Sequence, residues 1–101
     1  MGTKPALVDK GTGEQRGEMM HVYLRWYANG QPDGSPQRME DEYAAKDAVL
    51  ERFPNASFSE RVEAVHQPHG NVSGIDSMLY AWPGPRTSGV PPIADILFPE
   101  P

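Results

Sequence analysis

Cysteine is absent from the 101 residues. That removes disulfides, thiolate metal sites and cysteine nucleophiles, and it fits a reducing compartment. Basic charge is short as well: nine Lys and Arg stand against fourteen Asp and Glu, for a net charge of −5. The nine are scattered singly, from Lys4 to Arg86. Nucleic-acid binding normally shows as a basic patch, because phosphate contacts supply most of the affinity. Nucleic acid is therefore not the expected partner. No apolar run approaches the ~20 residues of a membrane-spanning helix. The first residues lack the apolar core of a secretory signal. The expectation is a soluble cytoplasmic protein with no membrane contact.

Catalytic motifs are missing too. No serine sits in a GxSxG context, and the glycines Gly11, Gly13 and Gly17 follow no strand and lack dinucleotide-binding spacing. His66 and His69 have the His-x-x-His spacing that some zinc sites use, and His21, Glu63 or Asp76 would have to complete the set. Pro68 between them breaks helical geometry, so a solvated histidine pair in a loop is the simpler reading. The two Asn-x-Ser matches, at Asn55 and Asn71, are read as coincidence in a chain with no secretory signal. No catalytic residue, metal site or cofactor is assigned.

Proline (11) and glycine (10) punctuate the chain and gather at its two ends. Residues 1–18 hold one Leu, one Val and no aromatic, too little apolar surface to offset the entropy of ordering them. They read as a flexible tail, with a short edge strand at residues 6–8 as the lesser alternative. Residues 84–101 carry prolines at 85, 91, 92, 99 and 101 and read as a second, Pro-rich tail. Within it only IADILF, residues 93–98, can form a helical turn or a short strand. The folded part is then residues 19–83.

The pattern organising that part is SPQRMEDEYAAKDAVLERF, residues 35–53. Ser35 suits an N-cap, Pro36 the first helical position, and Pro54 ends the run. At about 100° per residue, Met39, Tyr43, Val49, Leu50 and Phe53 share one face. Glu42 and Lys46 make an i,i+4 pair. Residues 19–28, MMHVYLRWYA, read as the strongest strand, closed by the turn dipeptide Asn29-Gly30. Alternation puts Met20, Val22, Leu24 and Trp26 on the face expected to meet the helix. His21, Tyr23, Arg25 and Tyr27 take the other. Residues 57–67 fit a strand or a helix, with strand favoured. Residues 74–82 form a third strand, with Met78, Tyr80 and Trp82 on one side and Ile75, Leu79 and Ala81 mostly on the other.

These elements predict a small two-layer α+β domain in the order β-α-β-β. Its sheet has about three strands, mixed or antiparallel, with one central helix on one face and flexible Pro/Gly-rich termini. One helix covers one side of a sheet, yet both sides carry large apolar groups. The second side needs a cover: the tail folded back, a second copy in a homodimer, or a partner.

The chemistry-poor composition points to a non-enzymatic protein–protein interaction module, such as an inhibitor, an adaptor or a bacterial, phage or plasmid accessory protein. Three surfaces are candidates. The aromatic sheet face offers His21, Tyr23, Arg25, Tyr27, Tyr80 and Trp82. An acidic face offers Glu40, Asp47 and Glu51 to a basic partner. The tail offers Ile96, Leu97 and Phe98 for docking. The alternative is a ligand or single-stranded nucleic-acid binder that stacks bases on the aromatic face. A small metal protein or enzyme centred on the histidines ranks below both.

Overall fold

The computed structural model describes residues 21–101. The N-terminal tail expected over residues 1–18, and Met19 and Met20 of the first strand, lie outside the described residues. The α+β class holds, with one helix against one sheet, but the sheet has seven strands rather than three.

The first strand is β1, Val22–Ala28. It ends at Asn29 and Gly30, both with positive φ (56° and 79°). Two such residues in succession make the type I′ turn whose twist suits a hairpin. The chain returns along β1 as β2, Gln31–Pro32, and resumes as β3, Gln37–Met39. Residues 33–36 loop out between them, with Gly34 at φ 83°.

Strand β3 occupies residues expected to be helical. Its pairing of Met39 with Val22 and Gln37 with Leu24 gives β1 hydrogen-bonding partners that a helix starting at Pro36 would have denied it. The helix α1 is therefore shorter, Glu42–Arg52, and its cap is Asp41, whose carboxylate accepts from the Ala44 amide at 2.8 Å. Pro54 follows its end as expected, and Glu42 reaches Lys46 at 2.8 Å. The buried stripe is Ala45 and Val49. Tyr43, expected on that stripe, is 75 % exposed. Met39 is half-buried and packs on the core from β3 instead of from the helix.

Residues 57–66 turn out to be partly both readings. Two short strands, β4 (Ser57–Phe58) and β5 (Val62–Glu63), are followed by a 3-10 turn, Ala64–His66. Both strands pair with β6, Ile75–Trp82, at different points along it. Between them Ser59 keeps the ladder closed: its amide donates to the Tyr80 carbonyl and its Oγ accepts from the Tyr80 amide, each at 2.9 Å.

The largest correction concerns the C-terminus. The Pro-rich tail contains β7, Ala94–Pro99, and β7 is the central strand of the sheet, antiparallel to β1 on one side and to β6 on the other. The strand order is β2-β1-β7-β6-β4, with β3 beside β1 and β5 beside β6, and every pairing is antiparallel. The prolines do not prevent this. Pro91 and Pro92 precede the strand and Pro99 is its last residue, so the interior keeps all its N–H donors.

Alternation on β1 works as expected. Val22, Leu24 and Trp26 face α1, joined by Leu79 and Ala81 from β6 and by Ala94, Ile96 and Phe98 from β7. Leu24, Leu79, Ile96 and Val49 are at most 1 % exposed. Each such side chain contributes about 1.5–3 kcal/mol by leaving water. Arg52 closes the margin of this layer, its guanidinium 4.2 Å from the Trp26 ring centre.

Candidate functional site

The register of the three long strands builds the face turned away from α1. Tyr23, Leu97 and Met78 stand in one row across β1, β7 and β6, and Arg25, Asp95 and Tyr80 in the next. Leu97 and Met78, both 0 % exposed, form a small second core with Ala64. Part of this face is covered by the chain's own connection between β5 and β6, whose 3-10 turn lays Ala64 on the sheet.

Two hydrogen bonds fasten that connection down. Arg25 Nη2 donates to the His69 carbonyl at 2.7 Å, and the Tyr80 hydroxyl donates to Gln67 Oε1 at 2.8 Å. Gly70 lets the connection close on itself, because a Cβ there would collide with the backbone of Ala64. Here the glycine serves a close approach rather than an unusual φ.

Beneath the connection lies an ion pair. Arg25 Nε and Nη2 donate to Asp95 Oδ1 and Oδ2 at 3.1 and 2.7 Å, a two-pronged contact across the β1–β7 ladder. The Tyr27 hydroxyl donates to Asp95 Oδ2 at 2.6 Å. Asp95 is 0 % and Arg25 8 % exposed, so each charge needs the other. Burial disfavours the Arg25 cation, but its hydrogen bond to Asp95 and the carboxylate charge outweigh this and raise its pKa. Burial, then the hydrogen bond and charge of Asp95, push the Tyr27 phenol far above its ordinary value of 10.0. Burial and the Asp95 charge raise Tyr80 as well.

Beside this network opens a cleft of about 330 Å³. Tyr27, Tyr80 and Trp82 supply rings to its wall, the last two with centroids 6.1 Å apart and tilted by 49°. His69 stands edge-on to Tyr27 at 6.1 Å. Pro68 and Pro92 add apolar rims. Arg86, on the loop between β6 and β7, lies over Trp82 with its guanidinium carbon 4.3 Å from the ring centre. A second hollow of about 350 Å³ lies at the other end of the face, lined by Tyr23, Ile75 and Pro99 among others, and has a single aromatic ring.

The six residues expected to form a binding face thus separate into three groups. Tyr27, Tyr80 and Trp82 line the cleft. Arg25 is on the same face but buried in its ion pair. His21 and Tyr23 form their own pair outside it, His21 Nε2 lying 2.9 Å from the Tyr23 hydroxyl with the rings edge to face. Of the acidic candidates, Glu40, Asp47 and Glu51 are exposed around α1, on the opposite side of the sheet. Ile96, Leu97 and Phe98 are 0, 0 and 4 % exposed inside β7, so they are unavailable as a docking tail. His66 pairs with Glu63 at 3.1 Å, and among the described residues no group of three or more His, Asp or Glu is placed to hold a metal. No described helix is long and apolar enough to cross a membrane.

Sequence reasoning missed Asp95, Arg86 and the part played by residues 67–70. Asp95 had a signal: one carboxylate inside an apolar run needs a buried cation, and Arg25 is the basic residue on the first strand's outer face. Arg86 had none, since only the loop's path brings it onto Trp82. Comparison with protein-family models, with curated proteins and with solved structures found no match to this chain.

Proposed function

We propose that this chain is a non-catalytic binding module that holds another protein on the sheet face turned away from α1, with the Tyr27–Tyr80–Trp82 cleft as the point of recognition. The observation that carries this reading is the cleft itself: three rings collected from two strands and braced from below by a saturated ion pair. Aromatic side chains offer large, rigid contact area and are the usual anchors of protein interfaces. Several polar groups around the cleft are engaged in holding the scaffold. Tyr27 donates to Asp95, Tyr80 to Gln67, and Arg25 to both Asp95 and the His69 carbonyl. A single strand of nucleic acid would stack on the same rings, but one arginine lines the cleft and the chain carries −5.

The test is capture from the source cells by the wild type and by folded variants. Arg86→Glu and Pro68→Ala should lose the captured protein, whereas Glu51→Lys on α1 should keep it. The purified partner should then shift the Trp82 indole signal in NMR spectra. Capture that follows Glu51→Lys and ignores Arg86→Glu would move the interface to the helix side and end this reading.

A further inference from the structure

We infer that the segment held in the cleft is an extended, proline-containing stretch with an acidic side chain, a deduction that rests on the protein-binding reading above. Three features converge on it. The first is charge. None of the nine residues lining the cleft is acidic, and the nearby Asp95 is wholly buried and matched by Arg25. Arg86 is exposed, and no ion pair among the described residues uses it. A chain of net charge −5 therefore presents a local cation where the rings are, which complements a carboxylate and repels a lysine or arginine.

The second is shape. A cleft of about 330 Å³, walled by tilted rings and two prolines, takes a few residues of extended chain more readily than the long face of a helix. Proline-bearing segments already hold the extended polyproline II form, so they lose little entropy on binding, and their rings pack against Tyr and Trp.

The third is an unspent donor. Trp82 is 6 % exposed, and no side-chain hydrogen bond among the described residues uses its indole N–H. The backbone carbonyls of an extended segment, fully exposed in polyproline II geometry, are suitable acceptors for it.

The experiment titrates the full ¹⁵N-labelled chain with four probes. They are a capped Pro-Glu-Pro-Pro-Glu-Pro peptide, the same peptide with Lys for Glu, the same with Ala for Pro, and oligothymidylate. The chain's two tryptophans give two indole signals, assigned with Trp26→Phe. The expected result is that the first peptide alone moves the Trp82 indole and leaves Trp26 in place. Arg86→Glu, checked for an unchanged fold by its remaining spectrum, should weaken that peptide about tenfold or more and bring in the Lys peptide.

Equal binding by the Ala peptide, or stronger binding by the Lys peptide in the wild type, overturns the inference and leaves the protein-binding reading standing. A Trp82 shift produced only by oligothymidylate, or only by raising the protein's own concentration, overturns both. If no probe moves Trp82, the inference falls, and the capture experiment decides the broader reading separately.

Discussion

Arg25 and Asp95, 70 residues apart in the chain, face each other across the β1–β7 ladder and share two hydrogen bonds with both side chains out of solvent. Removing one member leaves the other charged and buried. Asp95→Ala should therefore cost about 3–5 kcal/mol in urea unfolding. The triple replacement Arg25→Met, Asp95→Leu, Tyr27→Phe should cost less than Asp95→Ala alone, since no buried charge is left unmatched and only the His69 carbonyl loses a donor. A triple variant less stable than the single one would mean that the network's geometry, and not its charge balance, holds the strands together.

The same network should make the fold's stability pH-dependent on the alkaline side. The folded-state pKa values of Tyr27 and Tyr80 are raised above 10.0, so the native state holds protons that the unfolded chain releases. Their contribution to stability is complete below pH 10.0 and is lost as pH rises above it toward the folded values. Urea midpoints measured at increasing pH should fall beyond that point. Tyr27→Phe should make the decline shallower, which unfolding curves at matched pH will show.

The C-terminal strand sits at the centre of the sheet, and its loss should be global. Ile96→Ala and Leu97→Ala should each cost about 2–5 kcal/mol, because both side chains are 0 % exposed and leave cavities between layers. Deleting residues 94–101 should unfold the domain altogether. Circular dichroism and amide dispersion check this, and a folded truncated protein would contradict β7 as the middle strand.

The helix start is tested by its cap. Asp41→Ala should cost about 1 kcal/mol, through the lost bond to the Ala44 amide. Ser35→Ala should stay within about 0.5 kcal/mol, as an exposed loop substitution. Thermal denaturation of the two variants side by side decides between them.

These contrasts mark how much the sequence disclosed. Alternation along β1 and the second half of β6 was legible because each has one face against α1, so Val22, Leu24 and Trp26 sort from Tyr23, Arg25 and Tyr27 by period alone. Ile75, expected beside Leu79 and Ala81, packs with Met78 instead because the register shifts between Ile75 and Ser77. That made most of the aromatic face readable before its surroundings were known. The helix start was misread because Ser35-Pro36 and Asp41 are both good entry signals, and the choice was made by β1's need for a partner at Gln37–Met39. The central strand was hidden by its flanking prolines, which punctuate a strand without interrupting it when they fall at its margins. Arg86 and His69 reach the cleft through loops, whose paths follow no periodicity.

Among the described residues both outer margins of the sheet are discontinuous: β2 and β3 are parted by residues 33–36, and β4 and β5 by residues 59–61. An incoming chain that tried to extend the sheet would find two- and three-residue stubs in place of an open row of amides and carbonyls. Among the described residues, the same interruptions disfavour sideways stacking into fibrils and recognition by strand addition. The proposed partner is therefore sought on the broad surface, where Tyr27, Tyr80 and Trp82 stand.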